Sequence, residues 1–283
     1  MKLPVIQAID DAMIRKRNPL EGFRNHYGVS QIGKSCKRAS WYDFHWMTLK
    51  EYEARILRIF DRGHREEETF VRLLQDAGYS VLEVNPETGE QFKFFDNECP
   101  VIGGSVDGIL LDLTDDQTFV GLELKTMKAS KFRELKKKEC YSAQPVHYAQ
   151  MQGYMGLSQS TNWPMNAFLY LVVNKDDDSL YSELVPFDEA THKFNIDSAR
   201  DVVRSNEPPE RIASSEDWFE CNWCDHKKMC HRGEAPNHQN CRSCEHSRPN
   251  LLDPAFWECI TLNKQLSRAE QVMGCELYAA RGV

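Results

Sequence analysis

Apolar side chains recur at three- and four-residue steps over residues 36–78, the spacing that places them on one face of a helix. The pattern breaks once, which divides the stretch into two helical segments. In the second segment the recurring positions are Ile56, Ile59, Phe60, Phe70, Leu73 and Leu74. Gly78 follows them where a helix commonly ends. The pattern predicts two helices, the second of which ends near Gly78.

Short runs with strand-type alternation follow between residues 79 and 126, separated by turn signals in NPETG (85–89) and TDDQ (114–117). The runs are YSVLEV, EQFKFF, CPVIGGSVDGILLDL and TFVGLELKT. Helical patterns then return at 128–139 and 144–157, before two strands in AFLYLVVN and LYSELVPF and a polar helix over 188–205. The predicted order, α, β, α, β, β, α, is that of a mixed α/β fold.

From residue 206 onward the chain is polar and rich in Cys, His, Trp and Pro, with one short helix predicted in LSRAEQVMGCELY. So few apolar residues cannot form an ordinary core, and we expect bound metal to organise this part. A chain of 283 residues is long enough for one large domain with a small appendage. We therefore predict a main domain over 1–235 and a small metal-stabilised C-terminal module over 236–283.

The composition, 41% hydrophobic and 28% charged, is that of a globular protein, and no long apolar run indicates a membrane span. Acidic residues stand near the N-terminus where an export signal would need an apolar stretch, so we expect a cytoplasmic protein. The net charge of -8 argues against a uniformly basic surface, although a nucleic-acid enzyme can concentrate its cations in one groove. In a reducing compartment the ten cysteines are better explained as metal ligands than as disulfides.

The strand VGLELKT carries an acid and an amine on the same face. Side chains alternate along a strand, so Glu123 and Lys125 point one way while Leu122 and Leu124 point the other. Asp107 lies between glycines in GGSVDGILLDL, at the start of a strand that can pair with the strand of Glu123. Two carboxylates and one lysine are therefore expected to meet.

Such a group suits a hard divalent cation. Mg²⁺ prefers oxygen ligands, and the carboxylates of Asp107 and Glu123 with the backbone carbonyl of Leu124 leave positions for water and a phosphate. Lys125 would then orient or help to deprotonate the attacking water and offset negative charge in the transition state. An isolated E-x-K triplet is more commonly an ordinary surface pair, so the triplet needs support from other motifs.

Asp107 followed, after a short hairpin, by Glu123-Leu124-Lys125 resembles the D…(D/E)-x-K core of the PD-(D/E)XK nucleases. The resemblance implies a restriction-endonuclease-like fold, with a central mixed sheet flanked by helices. It also implies metal-dependent hydrolysis of DNA.

Two further motifs resemble the RecB-like exonuclease branch of that superfamily. RGHREEETF places His64 after Gly63 on a helix upstream of the core, with Glu68 one turn later, and HYAQMQGYMGL supplies Gln150 and Tyr154 on one helix face. The resemblance assigns His64 to the metal, for which Mn²⁺ is then an alternative to Mg²⁺. It assigns Gln150 and Tyr154 to the catalytic site, in contact with substrate phosphate or base.

A basic segment, KTMKASKFRELKKKE, lies between the core motif and the Gln150 helix. Its cations beside an acidic metal site could hold a DNA backbone, with binding that falls as salt rises. A solvated basic helix face is the equally simple alternative. The candidate DNA contacts are Lys128, Lys131, Arg133, Lys136 and Lys137.

Cys221, Cys224 and Cys230 form a C-x2-C-x5-C set that is one thiolate short of a complete cluster or zinc site. Cys36, in a C-x-R-x-x-x-Y context, is the candidate fourth ligand. This arrangement resembles the AddB-type and CRISPR-associated RecB-like nucleases, in which one cysteine before the core and three after it bind a [4Fe-4S] cluster. The resemblance implies such a cluster here as a structural staple, and zinc at the same thiolates is the alternative.

A second set, C-x2-C-x14-C-x15-C, lies in the C-terminal module and has the spacing of a small zinc site. It consists of Cys241, Cys244, Cys259 and Cys275. His246, His238 or His231 could replace Cys275 as the fourth ligand. The module resembles C-terminal extensions of RecB-like proteins from bacteriophages and prophages.

The RecB-like resemblance implies an exonuclease that resects DNA ends for recombination or repair, acting on DNA with single-stranded character. A phage single-strand annealing protein is the partner that this context implies. A non-catalytic DNA-binding or assembly module is the second hypothesis, and an endonuclease using the same site the third. A redox protein ranks last, because the nuclease motifs would then have no use.

Overall fold

The computed structural model describes residues 4–18, 23–111, 113, 119–253 and 255–282. The chain forms two compact units, each built from separate stretches of sequence. The first comprises Met1–Lys16, Tyr52–Phe94 and Gly103–Ile196, and the second comprises Arg17–Glu51, Phe95–Ile102 and Asp197–Val283. The division into 1–235 and 236–283, which separates a family domain from an added module, stays a prediction.

Between residues 36 and 205 the helices agree with the periodicity. They are α1 (Pro4–Lys16), α2 (Lys37–Phe44), α3 (Ala54–Asp76), α4 (Ala129–Ala143), α5 (Pro145–Ser158), α6 (Glu189–Arg204), α7 (Lys227–Arg232) and α8 (Arg268–Met273). The second predicted helix ends as expected, with Gly78 at a φ of +95° that favours glycine. The sequence pattern did not predict α1.

Eleven strands lie within the described ranges, and the longest are the apolar runs singled out above. They are β1 (Tyr27–Gly28), β2 (Ser80–Leu82), β3 (Lys93–Phe95), β4 (Ile102–Ser105), β5 (Gly108–Leu111), β6 (Phe119–Met127), β7 (Met165–Asn174), β8 (Leu180–Pro186), β9 (Ser247–Pro249), β10 (Trp257–Cys259) and β11 (Lys264–Leu266). The predicted NPETG turn is present, since Gly89 N–H donates to the Asn85 carbonyl at 2.8 Å. The TDDQ turn lies outside the described residues.

A five-stranded sheet in the order β2-β5-β6-β7-β8 forms the centre of the first unit. β6 and β7 are parallel and the other neighbours are antiparallel. A parallel pair needs a long crossover, and α4 and α5 supply it between β6 and β7. The prediction of a mixed α/β fold, with a central mixed sheet flanked by helices, is confirmed.

Helices cover both faces of this sheet. On one face, Phe70 and Val71 of α3 pack in a core with Leu122 and Leu124 of β6. On the other face, Tyr154 of α5 stacks on a β7 ring, with 6.4 Å between ring centroids. Because side chains alternate along β6, the residues between its core leucines point toward the α5 face. None of the helices described is long and apolar enough to cross a membrane.

The second unit contains an antiparallel sheet in the order β11-β10-β9, which the sequence pattern missed together with α7. The prediction of a single helix after residue 206 is therefore wrong, although α8 lies where that helix was expected. Three-residue strands are too short to show a period.

The core of the second unit contains a buried arginine. The Arg242 guanidinium lies 3.9 Å from the centroid of the Trp46 ring and 4.8 Å from that of the Trp257 ring.

Candidate active site

The β5–β6 hairpin brings Asp107 beside the acid and amine of β6. Gly108 pairs with Leu122 in antiparallel register, so Asp107 stands next to the middle of β6. Its Oδ2 accepts a hydrogen bond of 2.8 Å from the Leu124 N–H. The loop carboxylate is therefore fixed to the residue between Glu123 and Lys125.

The Lys125 ammonium is held by two oxygens of its own strand. Its Nζ contacts Oε1 of Glu123 and donates to the Leu124 carbonyl at 3.1 Å. Glu123 is buried, whereas the Lys125 side chain keeps 28% of its surface exposed. The Lys125 ammonium thus contacts two oxygens, of Glu123 and Leu124, that the sequence analysis predicts as metal ligands.

Gln150 binds the same carboxylate from above the sheet. Its Nε2 lies 2.9 Å and 3.0 Å from the two carboxylate oxygens of Glu123. The helix that carries it, α5, begins at Pro145, where proline is well accommodated in the first turn. The structure therefore gives Gln150 a protein partner inside the site.

The electrostatics of the group reflect an excess of acid. Burial raises the pKa of Glu123 to about 7, although the Lys125 ammonium lowers it. Burial alone would lower the pKa of Lys125, but the carboxylates of Glu123 and Asp107 outweigh it and raise that pKa. Lys125 is therefore the stable cation of the cluster, and additional positive charge would offset the remaining carboxylates.

Glu67 of α3 is a site residue that the sequence analysis missed. Burial, and after it the Asp107 carboxylate, raises the pKa of Glu67, and Lys125 lowers it. Glu67 therefore lies within electrostatic reach of both. A signal was present, because Glu67 precedes the buried Phe70 by three residues and Val71 by four and so shares their inward face.

The other predicted site residues are His64 and Tyr154. His64 is exposed on α3, three residues before Glu67, whose pKa it lowers. Tyr154 is buried, and a Cβ added to Gly104 would stand 2.6 Å from its hydroxyl oxygen. Tyr154 thus packs between Gly104 and the ring of Phe168.

The basic segment forms α4, which begins two residues after β6 ends. All five predicted DNA-contacting side chains are exposed. Lys131 pairs with Glu134 at 3.2 Å, as does Lys138. The helix breaks at Glu139, whose φ of 59° and ψ of 172° lie in a region that normally needs glycine. The stretch before this break presents its cations to solvent.

The first cysteine set shares one small cavity in the second unit, although its members are up to 194 residues apart in the chain. Cys36, Cys221, Cys224 and Cys230 all line it, together with Arg38, Arg211 and Lys227. Burial, assisted by the Cys36 thiol, raises the pKa of Cys224 to about 11. Four sulfur donors with cations around them suit a centre whose thiolates leave a net negative charge, as both a cluster and zinc would.

The members of the second cysteine set are coupled electrostatically. Burial, and after it the thiols of Cys275, Cys244 and Cys259, raises the pKa of Cys241 to about 11. Of the alternative fourth ligands, His231 lines the cavity of the first set. His238 packs on Phe23, with 5.7 Å between ring centroids, and His246 lies 3.9 Å from Glu245. The Cys275 thiol is within electrostatic reach of Cys241.

Across the described ranges, no three His, Cys, Asp or Glu side chains are grouped as a ready-made metal site.

No protein-family model matches the chain, and no curated protein matches it. Solved structures that are similar to this chain include an alkaline exonuclease, LHK-Exo, from Laribacter hongkongensis. The two structures have a TM-score of 0.44 and 15% sequence identity, over 69% of this chain and 90% of that one. SSO0001 has a TM-score of 0.48 and 15% identity over 83% and 99% of the two chains. LHK-Exo in complex with dAMP has a TM-score of 0.44 and 14% identity over 69% and 90%. Similarities this distant carry no argument about activity.

Proposed function

We propose that this chain is a divalent-metal-dependent DNA nuclease, with DNA ends as its preferred substrate. The observation that carries the proposal is the arrangement around Leu124. Its carbonyl and the Glu123 carboxylate hold the Lys125 ammonium, while its N–H holds Asp107. Two acids, a carbonyl and an amine thus meet within one short stretch of β6. The preference for ends follows from the RecB-like motifs.

The donor set fits Mg²⁺ or Mn²⁺. Asp107, Glu123 and the Leu124 carbonyl supply hard oxygen ligands, and Glu67 adds a third carboxyl to the same charge cluster. His64, three residues before Glu67, would add a nitrogen donor. When bound, the metal would polarise a phosphate oxygen and lower the pKa of a bound water. The surplus of carboxylates over ammonium groups favours its binding.

The side chains around the metal have separate tasks. The Lys125 ammonium already contacts the Glu123 carboxylate and the Leu124 carbonyl, so we assign it to the phosphate oxygens, where negative charge grows during hydrolysis. Gln150 keeps both carboxylate oxygens of Glu123 in place through its two hydrogen bonds. Tyr154 supports α5 against Phe168 from a buried position.

The exposed cations of α4 form the proposed DNA-binding edge. The segment starts immediately after β6, so a strand whose phosphate lies at Lys125 can continue along it. Contacts of this kind bind any sequence and weaken as salt rises. The proposed contacts are Lys128, Lys131, Arg133, Lys136 and Lys137.

The two cysteine sets are proposed to hold structural metal. Cys36, Cys221, Cys224 and Cys230 would bind a [4Fe-4S] cluster, with zinc as the alternative, and so join residue 36 to the segment around residue 221. The second set would bind zinc, through Cys241, Cys244, Cys259 and Cys275.

The test is degradation of end-labelled linear DNA and circular DNA by anaerobically purified protein, with Mg²⁺, Mn²⁺ or EDTA. Lys125→Ala and Asp107→Ala should abolish activity. Lys93→Ala, at an exposed lysine paired with Glu90, is the matched control and should retain it. Metal-dependent loss of linear DNA alone supports an exonuclease. Cutting of circles supports an endonuclease at the same site, and inactivity of metal-loaded protein would contradict the proposal.

A further inference from the structure

A cavity of about 150 Å³ lies between α3 and the central sheet, next to Lys125. Its floor consists of side chains near the C-terminal ends of the two parallel strands. Leu124 pairs with Leu171 and Thr126 with Val173, so these four positions form two adjacent rows on one face of the sheet. The three aliphatic side chains are buried, which makes the floor mainly apolar.

The helix side of the cavity contains Gly63, Glu66, Glu67 and Phe70, which recur at helical spacing on α3. Gly63 is unexpected in a helix interior, where glycine is less stable than alanine. Nothing in the fold requires it, since a Cβ added there would meet no atom within 4 Å. The glycine instead leaves space above the cavity.

The polar groups of the cavity select the chemistry of a ligand. Glu66, Glu67 and Lys125 are the charged residues that line the cavity. The Glu66 carboxylate also lies 3.7 Å from Nε of Arg62, and the Lys125 ammonium reaches back to the Leu124 carbonyl at 3.1 Å. A cavity of about this volume accommodates a six-membered aromatic ring such as benzene. A pyrimidine base has such a ring, and the amino group of cytosine donates to carboxylates. Thymine presents a carbonyl oxygen at that position, which carboxylates repel.

We propose that this cavity binds a single nucleobase of the DNA substrate, cytosine in preference to thymine, while the phosphate of the same nucleotide lies at Lys125. The inference rests on the proposed nuclease function for the position of the phosphate. The base is recognised by the carboxylates of Glu66 and Glu67 over the apolar floor.

The test is calorimetric titration of the full chain, in Mg²⁺, with dCMP, dTMP and 2-deoxyribose 5-phosphate. The amino group of dCMP can donate one hydrogen bond to a carboxylate that dTMP cannot form, so dCMP should bind about tenfold more tightly than dTMP. The abasic sugar phosphate should bind more weakly than dTMP.

Gly63→Leu places a side chain in the open space and should make the three affinities equal. Leucine is also the better helix former, so the melting temperature should hold or rise. The control is Thr69→Leu, which adds leucine to the same helix at a position outside the cavity. It should leave the order of the affinities unchanged.

Glu66→Gln gives a second readout that does not depend on filling the cavity. A glutamine amide can donate to the carbonyl of thymine as well as accept from cytosine, so the ratio of the two affinities should fall toward one. Equal affinities for all three ligands in the unmodified chain would overturn the base site even if DNA is degraded. Base-dependent binding without DNA hydrolysis would support the cavity and contradict the nuclease.

Discussion

Gln150 of α5 donates through its Nε2 to both carboxylate oxygens of Glu123 on β6, at 2.9 Å and 3.0 Å. In the proposed nuclease, Gln150 is therefore a positioning residue, one step away from the reacting phosphate. Groups of this kind orient a metal ligand, and their loss costs about 10- to 100-fold in metal affinity or activity.

Gln150→Leu should therefore raise the Mg²⁺ concentration for half-maximal activity and lower kcat by about 10- to 100-fold, with KM for DNA nearly unchanged. Steady-state kinetics at varied Mg²⁺ and varied DNA separate these quantities. The control is Gln159→Leu, because the Gln159 side chain, at the C-cap of the same helix, donates to the backbone carbonyls of Met155 and Met165. An increase in KM alone would show that Gln150 contacts the substrate directly.

His147 predicts a loss of stability in weak acid. Burial, and after it the Lys125 ammonium, lowers the pKa of His147 to about 4, and its Nδ1 lies 2.6 Å from the Tyr170 hydroxyl. In the unfolded chain histidine titrates near its ordinary value of about 6.5. The unfolded state therefore binds more protons between these values, so this contribution to stability is present above about pH 6.5 and is lost as pH falls toward 4.

Urea unfolding at pH 7.5 and pH 5.0 measures the effect. The unmodified chain should lose about 2 kcal/mol more than His147→Gln between these two conditions. Equal losses in both proteins would assign the acid sensitivity to other groups.

Glu139 predicts a stabilising substitution. Its φ of 59° and ψ of 172° place a residue with a side chain where the backbone normally needs glycine, at a cost of about 1–3 kcal/mol. Glu139→Gly should therefore raise the free energy of unfolding by about 1 kcal/mol after the added flexibility of the unfolded chain is counted. The control is Lys137→Gly, in the regular part of α4, which should lower it by about 1 kcal/mol. Thermal or urea unfolding shows whether the two changes have opposite signs.

The sequence was most informative where the chemistry is local. Along β6 the alternation of side chains placed Glu123 and Lys125 on one face, and the short hairpin brought Asp107 to them. Each of these relationships spans fewer than twenty residues. The strand order could be anticipated only as a class, because a parallel partner such as β7 depends on the packing of the crossover helices.

What the sequence could not show depends on packing between distant segments. Glu67 belongs to the site because α3 packs on the sheet, and that orientation is not visible in the run REEE alone. The core of the second unit rests on the buried Arg242 between Trp46 and Trp257, and an arginine at such a position looks like a surface residue in any hydrophobic pattern.

The basic edge on α4 predicts how DNA binding responds to salt. Lys137 is exposed, whereas Lys131 and Lys138 share Glu134. If Lys137 neutralises one phosphate of a single strand, Lys137→Ala should reduce the slope of log affinity against log salt by about 0.7. Fluorescence anisotropy over a salt series gives this slope. Lys93→Ala, beside Glu90, should leave it unchanged, and an unchanged slope for Lys137→Ala would move the DNA path away from α4.

If the first cysteine set binds metal, Cys36 should be one of the ligands. Cys36→Ser removes one of four sulfur donors that line one cavity, so it should lower the bound metal and the melting temperature together. Elemental analysis of anaerobically purified protein identifies the metal, since a [4Fe-4S] cluster contributes about four iron atoms per chain, whereas zinc here would add one zinc atom to the one proposed for the second cysteine set. Cys99→Ala is the matched control, because Cys99 is a buried thiol of the same unit that does not line the cavity. Full metal content in Cys36→Ser would exclude Cys36 as a ligand, and equal loss in both variants would mean that misfolding, and not coordination, releases the metal.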